Sequence, residues 1–162
     1  MATRSTIALE FADGTVGQVY CHWDGYLENN GELLLTHWSD PFKLSELIDM
    51  GDLSSLGREI GEQHEFDNPG KYGTPEYDTY RQKVEHMCTF YGRDRGETGI
   101  QARRFDNYRQ YLDRAQFEEY NYILRNVNGN PTWYVSYWTT DDQFVPLVDA
   151  IAVDKAEAEA AE

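Results

Sequence analysis

The sequence predicts an α+β fold: an antiparallel sheet of about five strands built on two hairpins, with short helices on one face. Three observations carry that expectation. Asp13-Gly14 separates the β-type runs 5–11 and 16–23, and Asn128-Gly129-Asn130 separates 119–125 from 132–138, so each pair of runs has the turn chemistry of a hairpin. Asp40-Pro41 opens a helically spaced apolar pattern that stops at Gly51. Finally, 14% of the 162 residues are aromatic and 40% hydrophobic, enough large side chains to close a core despite a net charge of −15.

Taken in order, the chain begins with the first hairpin, and residues 25–31 read as a polar loop. Residues 32–38 read as a short helix. The next helix, over about 41–50, is specified by Asp40 as N-cap, Pro41 at its first position, apolar Phe42, Leu44, Leu47 and Ile48, and Gly51 past its end. Residues 52–57 are expected to add one helical turn. Residues 67–81 collect Pro, Gly, Asp and Tyr without a period and read as a long excursion. A buried strand is expected at 86–91, a loop from Gly92 to Gly99, and a helix capped by Asn107 through Tyr108, Tyr111, Leu112 and Ala115. The second hairpin follows, then a terminal helix over 144–153. Residues 1–153 are expected to form a single domain and 154–162 an acidic Ala/Glu tail, flexible in solvent.

Charge is unevenly spread: residues 1–80 carry −11, residues 81–114 carry +3 and the remainder −7. A phosphate backbone would be repelled by most of such a surface, which argues against direct binding of duplex DNA and favours a partner with a basic, nucleic-acid-binding surface. The acidic residues flanking the second helix, Asp40, Glu46, Asp49, Asp52, Glu59, Glu62, Glu65 and Asp67, are the candidate face for standing in for phosphates. Their plainer use is a solvated, solubilising surface. No run approaches the roughly 20 apolar residues of a membrane span, and residues 1–6 lack the apolar stretch of a signal peptide, so a soluble cytoplasmic protein is expected. Cys21 and Cys88 lie in apolar, strand-like runs and suit buried free thiols.

Two segments could carry chemistry. His22-Trp23-Asp24-Gly25-Tyr26-Leu27-Glu28-Asn29-Asn30-Gly31 ends a strand in a glycine-flanked loop that offers an imidazole, a carboxylate, an indole, a phenol and two amides. Tyr91-Gly92-Arg93-Asp94-Arg95-Gly96-Glu97 also follows a strand, and its two arginines could hold a phosphate or carboxylate through forked hydrogen bonds. His22, Trp23, Asp24, Tyr26, Asn30, Tyr91, Arg93 and Arg95 are therefore the candidate residues for a compact, nucleotide-type ligand. Each has a structural alternative: Trp23 and Tyr26 as core or rim aromatics, Asp24-Gly25 as a turn, Arg93 and Arg95 pairing with nearby acids. A weaker reading makes the first loop hydrolytic, with His22 as base and Asp24 as its orienter. Otherwise catalytic templates are missing. There is no G-x-S-x-G, no phosphate-cradling loop ending in Lys-Ser/Thr, no H-E-x-x-H and no calcium loop, and the four histidines have no metal-site spacing. Neither a cofactor nor an enzymatic activity is expected.

Thr3-Arg4-Ser5, Tyr20-Cys21-His22-Trp23-Asp24-Gly25-Tyr26 with Asn30-Gly31, and Cys88-Thr89-Phe90-Tyr91-x-Arg93-Asp94-Arg95-Gly96-Glu97 together resemble a family of small uncharacterised proteins encoded by bacteriophages and other mobile elements. Glu118-Glu119-Tyr120-x-Tyr122 and Trp133-Tyr134-Val135 fit the rest of the pattern. The resemblance carries no activity and no site residues; it implies an accessory protein that disarms or redirects a host machine in the host cytoplasm. Two functions follow as expectations. The first is an acidic inhibitor, acting as a DNA mimic, of a restriction, CRISPR or transcription enzyme. The second is a protein that binds or sequesters a nucleotide-type signal.

Overall fold

The structure, a computed structural model, describes residues 2–64 and 72–161. Strands β1 (Ser5–Glu10) and β2 (Val16–Cys21) form the expected hairpin, antiparallel from Ser5↔Cys21 to Glu10↔Val16. Its turn is fixed by Asp13, whose carboxylate accepts from the backbone N–H and the hydroxyl of Thr15 at 3.0 and 2.7 Å. A π-helical turn at Leu27–Gly31 leads into α1 (Glu32–His37). Helix α2 (Pro41–Asp49) starts where its signals place it, with the Asp40 side chain accepting from the Phe42 N–H at 2.9 Å. Leu44, Leu47 and Ile48 are fully buried, and burying each is worth about 1.5–3 kcal/mol.

From here the structure corrects several expectations. Residues 52–57 do not turn helically: β3 (Leu53–Ser55) lies parallel to β2 at Cys21↔Leu53. The weak preference of a six-residue stretch for helix yields to two backbone bonds, His22 N–H to Leu53 O and Trp23 N–H to Ser54 O. The described part of the expected excursion holds α3 (Pro75–Val84), started by Thr74, whose hydroxyl accepts from the Tyr77 N–H at 3.3 Å, and by Pro75 at the first position. The strand expected at 86–91 shrinks to β4 (Thr89–Phe90), and the expected loop after it holds a short helix, α4 (Tyr91–Arg95), closed by Gly96 at φ +76°. Strand β5 (Arg103–Phe105) has no counterpart in the sequence reading.

Asn107 does cap α5 (Tyr108–Arg114), accepting from the Gln110 N–H at 2.8 Å. Strands β6 (Tyr120–Val127) and β7 (Asn130–Tyr137) form the second hairpin, with Asn128 and Gly129 both at positive φ, as a two-residue type I′ turn requires. A short strand β8 (Val145–Pro146) precedes α6 (Leu147–Ala160), which runs through most of the segment expected to be a flexible tail.

The antiparallel five-stranded sheet is thus replaced by a mixed one. Among the described residues it has eight strands, in the order β4-β3-β2-β1-β6-β7-β8, with β5 pairing β2. The two hairpins join through β1 and β6, which run parallel from Ser5↔Tyr120 to Leu9↔Leu124. One face carries Ile7, Leu9, Val19, Tyr122, Leu124 and Val135 against α1, α2 and α6. The other carries Ala8, Val16 and Ile123 against Phe105 and Tyr111, so α5 covers the opposite side and the helices are not confined to one face. An alternating run has the same period beside a parallel or an antiparallel neighbour, and strands of two or three residues show no period at all.

Candidate ligand-binding cleft

The His22–Asn30 segment leaves β2 without leaving the sheet edge, because the backbone of His22 and Trp23 stays bonded to β3. Asp24 then takes a left-handed backbone, φ +57°, and turns the chain. Gly25 follows with its N–H on Thr3 O at 2.8 Å, packed so closely on β1 that a Cβ would meet Ser5 Cβ at 2.6 Å. The Tyr122 hydroxyl donates to Gly25 O at 2.6 Å. Asn30 closes the loop: its N–H donates to Asp24 O, and its side-chain amide donates to Ser5 Oγ at 3.2 Å.

This segment forms one wall of a cleft of about 750 Å³. His22, Trp23, Asp24 and Asn29 face it from that side, Ser54, Ser55 and Thr89 line it from β3 and β4, Tyr80, Arg81 and Val84 from α3 with Glu85 just past its end, and Tyr91 and Arg95 from α4. The two motif segments therefore meet in space. The Trp23 indole is 44% exposed and stands edge-on to the His22 ring, centroids 4.8 Å apart. The His22 Nδ1 lies 2.7 Å from the Tyr20 hydroxyl. Burial, then the charge of Glu118, pushes the Tyr20 phenol up to about 12, so it keeps its proton. Burial likewise raises Tyr91, with a Ser54 hydrogen bond pulling the other way.

Not every expected residue belongs to the cleft. Tyr26 is exposed away from it, and Asn30 is buried and structural. Arg93 is a clip: its guanidinium donates to Ile60 O at 2.9 Å, Gly61 O at 3.1 Å and Cys88 O at 3.0 Å, and to both oxygens of Asp94. Burial raises the Asp94 carboxyl, but the bonds from Arg93 and from the Phe90 and His64 N–H groups outweigh it and hold the group below its ordinary range. The His22–Asp24 dyad does not form as a strand pair, since the left-handed turn at Asp24 ends the alternation and Nδ1 sits on Tyr20.

The acidic face is also broken up. Asp40 caps α2, Asp49 pairs with Arg104 at 3.2 Å, and Asp52 pairs with Arg103 at 2.7 Å while accepting from the Tyr20 N–H. Glu59 lies 3.7 Å from His86 and Glu62 3.3 Å from Lys83. Glu46 is exposed, and Glu65 and Asp67 lie outside the described residues. Both cysteines are free and buried, and burial pushes their thiols up, Cys21 to about 11 and Cys88 to about 12. Among the described residues no three His, Cys, Asp or Glu side chains gather to hold a metal ion, and no helix is long and apolar enough to cross a membrane.

The sequence reading missed the cleft's third wall. Thr74-Pro75-Glu76 is a helix-start signal, and reading it as one would have placed Tyr80 and Arg81 on a helix. Compared with protein-family models, curated proteins and solved structures, the chain finds no match in any of the three.

Proposed function

We propose that the protein binds, and by binding sequesters, a compact nucleotide-type ligand in the cleft between the His22–Asn29 segment, α3 and α4. The observation that carries this reading is the meeting of a half-exposed indole, Trp23, with two guanidinium-bearing residues, Arg81 and Arg95, around one cleft. An indole face stacks on a base, and guanidinium groups hold phosphate oxygens through paired N–H donors. Ser54, Ser55, Thr89 and Asn29 supply hydroxyl and amide groups of the kind that fix a ribose or a base edge. The overall charge of −15 favours a small ligand held by local cations over a long polyanion.

The test is to purify the protein from bacteria, denature it and search the released small molecules for nucleotides by mass spectrometry, then titrate the emptied protein with the compound found or with a panel of mono-, di- and cyclic nucleotides. Arg81→Ala with Arg95→Ala should abolish binding while leaving the unfolding midpoint in place. No co-purified nucleotide and no binding across the panel at millimolar concentration would end this reading.

A second reading, an acidic accessory protein that occupies the nucleic-acid site of a host enzyme, is supported by the net charge alone. Four of the eight carboxylates expected to imitate phosphates cap a helix or pair with a neighbouring Lys or Arg, which weakens it. Salt-sensitive capture of a nucleic-acid enzyme from lysate, competed by DNA, would favour it over the cleft.

A further inference from the structure

A second cavity, of about 650 Å³, opens on the α5 side of the sheet, away from the cleft. Its floor is polar: Asn121 and Ser136 stand directly opposite each other on β6 and β7, each 3% exposed. Asn121 is tied into the fold, accepting from the Thr6 hydroxyl at 2.9 Å and the Glu118 N–H at 2.8 Å and donating to Glu118 O at 2.9 Å. The Ser136 hydroxyl has no hydrogen-bond partner among the described residues. It lines the cavity, where a bound molecule can take up its hydrogen bond.

The walls and rim define what that something is. Tyr108, Phe117 and Phe144 present aromatic surface, and Glu118 and Asp142 present carboxylates at the mouth. The Tyr108 ring already receives one cation, the Arg125 guanidinium 3.5 Å from its centroid. Asp142 is held in place by its left-handed backbone, φ +59°, and by its N–H bond to Tyr137 O at 3.2 Å. Glu118 pairs with Arg4 at 3.7 Å, a cation that it shares with Glu119 at 3.5 Å. Aromatic walls with an acidic mouth and a spare hydroxyl at the base suit a flat apolar body carrying an ammonium group, and they repel an anion of the same shape.

We propose that this cavity is a second binding site, for a small arylalkylamine cation: the ring lies among Tyr108, Phe117 and Phe144, and the ammonium is held by Glu118 and Asp142. The site is independent of the nucleotide cleft and stands or falls without it.

Tryptamine is the probe and indole-3-propionate its anionic counterpart. Calorimetric titration of the full chain should show tryptamine binding at least about tenfold more tightly than the anion. Amide NMR shifts should centre on residues 117, 121, 136 and 142–144. Glu118→Gln with Asp142→Asn keeps shape and backbone, because asparagine tolerates the left-handed region, and should remove the preference for the cation. Ser136→Ala should weaken tryptamine severalfold without lowering the unfolding midpoint. Equal binding of amine and acid, shifts confined to the other face of the sheet, or no binding at about 10 mM would overturn the proposal. Thermal unfolding of each variant shows that it is folded, so a loss of binding cannot be put down to a loss of structure.

Discussion

The Tyr20 hydroxyl stands 2.7 Å from Nδ1 of His22, across the last turn of the pleat before the cleft. Tyr20 keeps its proton because burial and the Glu118 charge raise it to about 12. A phenol donating to Nδ1 leaves the hydrogen of neutral His22 on Nε2, so the ring offers a donor rather than a base. Long-range nitrogen–proton NMR correlations should therefore show the Nε2–H tautomer of His22. In Tyr20→Phe the two tautomers should mix, and ligand affinity should fall roughly fivefold, the worth of about 1 kcal/mol for one hydrogen bond. A dominant Nδ1–H tautomer in the parent protein would defeat the argument.

Arg93 and Asp94 make a second test, of stability rather than binding. The pair ties residues 60–64 to β4 and α4 with both side chains largely buried, Arg93 at 13% exposure and Asp94 at 0%. Removing one member strands the other, so Asp94→Asn or Arg93→Ala should each cost about 3 kcal/mol in urea unfolding. The pH dependence has a definite sign. The Asp94 carboxyl lies below its ordinary 3.8 in the folded protein, so its stabilisation is complete above that value and is lost as pH falls beneath it toward the folded-state pKa. As the pH is taken down from about 4, the parent should lose stability more steeply than Asp94→Asn.

That clip also marks where sequence reading ended. The hairpins and α2 were legible because their signals are local: Asp13-Gly14, Asn128-Gly129, and the Asp40-Pro41 start act within a few residues of the structure they specify. The strand pairing of β1 with β6 spans residues far apart in the chain and leaves no mark in either run. In the cleft, the two motif segments were legible by residue type, but the directions of their side chains were not. Arg93 and Arg95 lie two residues apart on a helix, about 200° around its axis, so one points at the 60–61 backbone while the other lines the cleft. The composition of 67–81 masked α3, since its cap signal sits among residues that elsewhere make loops.

Gly25 gives a third test. A Cβ there would lie 2.6 Å from Ser5 Cβ and 2.9 Å from Thr3 O, both on or beside a central strand that has no room to retreat. Gly25→Ala should cost at least about 2 kcal/mol and should reduce ligand affinity, because the displaced loop carries Trp23 and Asn29. Gly96→Ala is the control: its φ of +76° strains an alanine, but nothing lies within 4 Å. It should cost only about 1 kcal/mol. Gly25 has no left-handed backbone to strain, so equal effects in thermal unfolding would show that the loop shifts to admit a Cβ.

Tyr111 reverses the usual direction. Its ring is the centre of the α5-side core, in contact with Phe105, Tyr108, Phe117 and Phe144, yet its buried hydroxyl has no partner among the described residues. Burial drives its ionisation far above the ordinary phenol range, so the hydroxyl stays neutral and its cost is that of an unmet donor. Such a group costs about 1–3 kcal/mol, while the ring supplies the packing. Tyr111→Phe keeps the ring and removes the orphan, so it should stabilise the fold by about 1 kcal/mol, read as a rise in the urea midpoint at unchanged slope. Tyr111→Leu should destabilise it, because the ring contacts go with the hydroxyl. A loss of stability in Tyr111→Phe would mean that the hydroxyl is satisfied in solution, by a water held between α5 and the sheet.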